Sequence, residues 1–92
     1  RLEHKVALIT GAAQGIGAAI AQAMASEGAK VVVTDVNEAL LVQTAQRLGV
    51  SALVLDVREE SHWEAAMQRI LAEHGALHVL VNNAGITGLE QG

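Results

Sequence analysis

The sequence predicts an α/β fold: a parallel sheet covered by helices, with elements in the order β-α-β-α-β-α-β. Three observations carry that expectation. Apolar residues come in short continuous runs, the pattern of strands covered on both faces. Between those runs they recur at helical spacing. Glycines stand at the junctions, where a helix must stop or a strand must turn. Short connections with right-handed crossovers then give a parallel sheet, with strand order 3-2-1-4.

Each element follows from its residues. Lys5–Thr10, around Val6-Ala7-Leu8-Ile9, reads as a buried strand. Gly15 to about Glu27 reads as a helix with Ile16, Ile20, Ala23 and Met24 on one face. Gly28 follows where a left-handed C-cap is expected. Lys30–Val36 is the second strand, and its Val31-Val32-Val33 is strongly β-branched. Asn37 or Glu38 to about Leu48 is the second helix, grouping Leu40, Leu41, Thr44 and Leu48, and Gly49 closes it. Ser51–Val57 is the third strand. Ser61 and Glu64 have the spacing of a capping box for a third helix. Trp63, Met67, Ile70 and Leu71 line that helix's buried face, and Gly75 ends it. His78–Asn82 is the fourth strand, and the residues from Ile86 to Gly92 read as a loop or frayed end.

Composition narrows the function classes. Ninety-two residues make one small domain or part of a larger one, and 51% of them are hydrophobic, almost all aliphatic. The net charge is −4 and the basic residues are spread singly, which argues against nucleic acid or an acidic membrane as partner. Cysteine is absent, excluding disulfides and thiolate metal sites. His4, His62, His74 and His78 lack metal-ligand spacing, so no metal site is expected. No apolar run is long enough to span a membrane, and Arg1-Leu2-Glu3-His4-Lys5 lacks the apolar stretch of a signal peptide. The expectation is a soluble, cytoplasmic protein.

The most informative stretch is Thr10-Gly11-Ala12-Ala13-Gln14-Gly15-Ile16-Gly17, between the first strand and the first helix. Glycines there let the backbone turn sharply and approach a ligand without a Cβ in the way. The following helix aims unpaired N–H groups and the positive end of its dipole at the same spot, which makes a phosphate cradle. The spacing is G-x-x-x-G-x-G and not G-x-G-x-x-G, but the tasks are equivalent. Gly11 allows the turn, Gly15 lets a pyrophosphate lie against the backbone, and Gly17 lets the helix pack close to the sheet. An ordinary tight turn is the plainer reading of the same glycines.

Asp35 ends the second strand, near the spacing of ~20 residues at which an acidic group accepts from an adenosine ribose hydroxyl. A carboxylate there repels a 2′-phosphate, and Val36 follows with no Arg or Lys beside it, so NAD is favoured over NADP. Capping of the second helix is the alternative role for Asp35. Asp56, ending the third strand before Val57, could accept from an adenine amino group or cap the helix that follows. Asn82-Asn83-Ala84-Gly85 ends the fourth strand. Its carboxamides can tie strands and loops together and its small residues leave room for a ligand, although a plain strand-end turn would use the same residue types.

In that order and spacing, Thr10–Gly17, Asp35, Asp56-Val57 and Asn82–Gly85 resemble the amino-terminal part of the short-chain dehydrogenases/reductases, along essentially the whole chain. The 3-oxoacyl-carrier-protein reductase and the glucose or steroid dehydrogenase branches are resembled alike. The resemblance implies a Rossmann-type fold, of which these residues form the amino-terminal half, and a nicotinamide cofactor. Gly11, Gly15, Ile16 and Gly17 would surround the pyrophosphate, with Gln14 also among the cofactor-binding residues. Asp35 would hold the ribose diol, and Asp56 with Val57 the adenine. Asn83, Ala84 and Gly85 would flank the cofactor's ribose and brace the sheet. Family members also use a serine, a tyrosine-x-x-x-lysine pair and a helix-borne asparagine further along. This sequence has no tyrosine, and its only lysines, Lys5 and Lys30, start strands.

The sequence therefore predicts the NAD-binding portion of an oxidoreductase that interconverts an alcohol and a carbonyl, with these 92 residues alone inactive. The alternative is a nucleotide-binding module without catalysis. With nothing paired beyond it, the fourth strand leaves an open edge, and such edges invite a second copy. A homodimer or higher assembly joined at or near that strand is expected.

Overall fold

In the computed structural model, which describes residues 2–83, the elements come in the expected order. They are β1 (Val6–Ile9), α1 (Gly15–Ser26), β2 (Lys30–Asp35), α2 (Glu38–Leu48), β3 (Ser51–Val54), α3 (Glu60–His74) and β4 (Val79–Val81). All strand pairs are parallel and the sheet order is β3-β2-β1-β4. Between β3 and β4 the chain crosses from one end of the sheet to the other. In doubly wound sheets such a reversal makes a crevice, here expected at the carboxyl ends of β1 and β4, and ligands bind there.

The sheet separates two apolar layers. Ile9, Val31 and Val33 pack with Leu41 and Ala45 of α2, Ala21 of α1, and Ala12 and Ala13 of the first loop. On the other face Val6, Leu8 and Val32 pack with Ile70 of α3, supported by Leu53, Trp63 and Leu77. Successive residues of a strand point to opposite faces, so an uninterrupted apolar run feeds both layers. Alanines dominate the buried face of α1, where Ala18 and Ala21 are buried beside Gly17.

The chain stops its helices as the glycines imply. Gly49 and Gly75 take the left-handed conformation as C-caps, and their N–H groups donate to Ala45 O and Leu71 O. At the end of α1 the cap residue is Glu27, with Gly28 at φ 98° immediately after it.

Several local expectations are corrected. Ile16 does not join the packed face of α1; its side chain is 72% exposed. It lies in the first turn, ahead of the part of α1 that crosses the sheet, and Ile20, Met24 and Ala25 do the packing with the alanines. Ala23 is exposed as well. β3 ends at Val54, short of Val57. Leu55 N still donates to Asp35 O, but beyond it the backbone donors turn to side chains: Asp56 N to His62 Nδ1 and Arg58 N to Asp56 Oδ1. That turn starts α3 early. Glu59 is its N-cap, without a side-chain capping bond, and Ser61 lies inside the first turn, so the Ser61–Glu64 capping box does not form. Leu71 is 49% exposed and is not part of the buried face of α3, which is made by Ala66 and Ile70. The first and fourth strands are shorter than expected, and residues 86–92 lie outside the described residues.

Ile70 is thus the large buried residue that fixes α3 to the sheet. Ile70→Ala should cost about 2–5 kcal/mol, against roughly 0.5 or less for Leu71→Ala, as measured by urea unfolding. Equal losses would contradict this packing.

Candidate dinucleotide site

The loop from Thr10 to Gln14 leaves β1 at the crevice and is tethered on every side. Gly11 turns with φ 61°. Its carbonyl accepts from Asn83 Nδ2 at 3.1 Å, across the gap to β4. Ala12 N donates to Thr34 O at 2.9 Å. Ala13 N donates to Asp35 Oδ2 at 3.1 Å, and the Ala13 carbonyl accepts from the buried Thr44 hydroxyl of α2. Thr34 Oγ1 donates to Ile9 O at 3.1 Å, and Thr10 Oγ1 lies 3.1 Å from Asn82 Oδ1. Thr10, Thr34 and Thr44 are all buried. These hydroxyls satisfy carbonyls that would otherwise be stranded in an apolar layer.

The tethered loop delivers α1 amino-end first to the crevice. Gln14 is the N-cap, extended and exposed, and its side chain makes no capping bond. No acidic residue occupies the first turn. The contrast with α2 is sharp: there Asn37 Oδ1 accepts from Leu40 N, and Glu38 complements the dipole. The amino end of α1 therefore keeps its electropositive character for an external anion.

The two loop glycines do different work. A Cβ on Gly15, at φ 66°, would meet nothing within 4 Å, so it would project into the open space in front of the helix end. A Cβ on Gly17 would collide with the Gly11 carbonyl and come to 2.9 Å from Asn83 Nδ2. Gly17 thus keeps the helix against the loop, and Gly15 keeps the cradle clear. These features fit a pyrophosphate, to which the Gly15–Gly17 amides would donate if it were bound there.

Asp35 and Asp56 reach the same sheet edge, because Leu55 N bonds Asp35 O. Asp35 is half-buried and does not cap α2; Asn37 does. Its carboxylate instead bridges the loop and the start of α2, with Oδ2 on Ala13 N and Oδ1 on Asn37 N at 3.1 Å. Asp56 does not cap α3 either. Its Oδ1 accepts from Arg58 N and Nε at 3.0 Å, and its Oδ2 from Arg58 Nη2 at 2.9 Å. The Arg58 side chain, through those bonds, and the Arg58 amide hold the Asp56 carboxyl down at about 2. Val57 is half-buried, and its carbonyl accepts from Trp63 Nε1 at 2.8 Å.

Gly11, Gly17 and Asn83 are thus brought into contact, and Asp35 touches the same loop. Ile16 projects into solvent beside them. Ala84 and Gly85 lie outside the described residues. Sequence reasoning missed Thr34, Thr44 and Arg58. A hydroxyl on the apolar stripe of α2 was the signal for Thr44. For Arg58 it was the Asp-x-Arg spacing, which suits an aspartate turn closing two residues on. Among the described residues no group of three or more His, Asp or Glu could hold a metal, and no helix is long and apolar enough to cross a membrane.

The sequence profile of the short chain dehydrogenases matches residues 5–91. This chain belongs to that family. It is 46% identical over 88 residues to galactitol 2-dehydrogenase of Agrobacterium fabrum, covering 94% of this chain and 34% of that protein. It is 44% identical over 87 residues to the 3-oxoacyl-(acyl-carrier-protein) reductase of Escherichia coli, covering 92% of this chain and 36% of that one. Among solved structures it superposes on a short chain dehydrogenase from Mycobacterium smegmatis with a TM-score of 0.84 at 38% identity, covering 89% and 37% of the two chains. A 3-ketoacyl-(acyl-carrier-protein) reductase from Brucella melitensis, complexed with NADH, gives 0.82 at 36% identity, covering 87% and 34%. The chain spans about a third of the length of these relatives. The short-chain dehydrogenases are oxidoreductases that bind a nicotinamide dinucleotide.

Because its folded pKa lies below the ordinary ~3.9 of an aspartate, Asp56 contributes stability that is present above that value and lost as pH falls through about 2. Carboxyl NMR shifts should show Asp56 titrating near 2, and Arg58→Ala should return it toward the ordinary range.

Proposed function

We propose that these residues are the amino-terminal half of an NAD-binding Rossmann domain, belonging to an enzyme that moves a hydride between an alcohol and a carbonyl compound. The observation that carries this reading is the amino end of α1: not capped by the Gln14 side chain, free of acidic residues in its first turn, with open space at Gly15, and set where the sheet order reverses. The bound coenzyme would supply the hydride chemistry. The chain's own residues bind and orient it. Gly11, Gln14, Gly15, Ile16 and Gly17 surround the pyrophosphate. Asp35 accepts from the adenosine ribose, and Asp56 with Val57 takes the adenine. Asn83, Ala84 and Gly85 flank the cofactor's ribose and brace the sheet. An acid–base tyrosine is not among these 92 residues, so alcohol oxidation by them alone should be undetectable.

NAD is preferred over NADP because the Asp35 carboxylate would face a 2′-phosphate of like charge. Removing Asp35 also removes its bonds to Ala13 and Asn37, so loss of affinity alone is ambiguous. The ratio is not, since a loosened loop weakens both coenzymes equally. Asp35→Ala should narrow the NAD-over-NADP preference about tenfold or more by calorimetric titration. An unchanged ratio rejects the ribose role, and absence of NAD binding to the unaltered protein rejects the whole reading.

A specific observation favours self-association as well. Among the described residues β4 is an edge strand of the sheet, and Leu80 in its middle is 53% exposed. A second copy pairing along β4 would cover both the open edge and that side chain. Light scattering should show a concentration-dependent dimer that Leu80→Asp abolishes. A monomer at tens of micromolar counts against it.

A further inference from the structure

Arg58 stands outside the roles assigned so far, yet it makes the most complete set of contacts to any carboxylate among the hydrogen bonds described above. Its backbone N–H and its Nε both reach Asp56 Oδ1 at 3.0 Å, and its Nη2 reaches Oδ2 at 2.9 Å. The guanidinium thus grips both carboxylate oxygens, and the amide two residues on closes the turn beneath them. We propose that Arg58 is a positioning residue for coenzyme recognition: it fixes the plane of the Asp56 carboxylate so that Oδ2 presents its second acceptor position to the exocyclic amino group of an adenine.

This rests on the reading that Asp56 faces the adenine. The acceptor inventory supports it. A carboxylate oxygen can take two donors. Oδ1 already has two, whereas Oδ2 has one, so the grip is asymmetric and leaves the open position on one oxygen. The Asp56 side chain is 20% exposed and the Arg58 side chain 83%, so the carboxylate is partly sheltered but still open to a ligand, while the arginine that grips it stays in solvent. A second hold acts from behind: Asp56 N donates to His62 Nδ1 at 3.0 Å, and Glu59 N donates to Asp56 O at 2.9 Å. Backbone and side chain of Asp56 are therefore both pinned. A free aspartate would rotate about its χ2 torsion and spread its acceptors over a cone.

The test compares NAD with nicotinamide hypoxanthine dinucleotide, which carries a C6 carbonyl where adenine has its amino group. Nicotinamide mononucleotide, lacking the adenylate half, serves as control. The unaltered protein should prefer NAD over the hypoxanthine analogue. Arg58→Ala should reduce that preference about fivefold while leaving mononucleotide binding unchanged. Asp56→Asn should abolish the preference. A variant that merely loosens the fold would weaken mononucleotide binding too.

Three outcomes overturn the proposal. Arg58→Ala could keep the full preference while Asp56→Asn loses it. Arg58→Ala could tighten NAD, which would make the arginine a competitor for Oδ2. The unaltered protein could bind both dinucleotides equally, in which case Asp56 does not read the amino group at all. Failure of the proposed dinucleotide site as a whole looks different: none of the three nucleotides binds.

Discussion

The peptide unit at Ala13 is held from two sides, its N–H by the Asp35 carboxylate and its carbonyl by the Thr44 hydroxyl. One partner comes from the end of β2 and the other from the middle of α2, so the first loop cannot shift without disturbing the second βα unit. Asn83 adds a third anchor from beyond β4, on Gly11 O. Loops carry function when a rigid scaffold positions them. Here the scaffold reaches into the loop and fixes its amides one by one, and the direction of α1 follows from that.

The consequence is electrostatic. A helix end needs something to satisfy its first N–H groups. α2 meets that need internally through Asn37, while α1 starts at Gln14 without a side-chain bond. The same chain therefore closes one helix end and leaves another receptive, and the receptive one points into the crevice made by the sheet's reversal. Two carboxylates at the neighbouring strand ends complement this positive end. Each is restrained differently: Asp35 by backbone amides of the loop and of α2, Asp56 mainly by Arg58. A dinucleotide, negative at its centre and rich in hydroxyl and amino donors at its adenosine end, matches that distribution of charge.

The two faces of the sheet are unequally filled. Two helices and many small residues cover one face, while among the described residues the other is covered by α3, through Ile70 and the half-buried Trp63, with Leu77 beside them. Leu71 and Leu80 stay open to solvent on α3 and β4.

Much of this was legible in the residues because its causes are local. Continuous apolar runs made strands, helical spacing made helices, and Gly49 and Gly75 ended helices where only left-handed backbone fits. Topology followed from the handedness of crossovers, and the glycine loop announced itself by position. Exposure of Ile16 and Leu71, the early start of α3 and the partners of Asp35 and Asp56 were not legible. Each depends on what lies across space: where α1 begins to cross the sheet, how a turn at Asp56 recruits Arg58 and His62, and which amide of a distant loop meets a carboxylate. Sequence alone determined the elements and their order, since short-range sterics and periodic burial dictate them. Only the tertiary structure decided which polar groups satisfy one another and which remain for a ligand, because hydrogen-bond partners are chosen by proximity after the chain has folded.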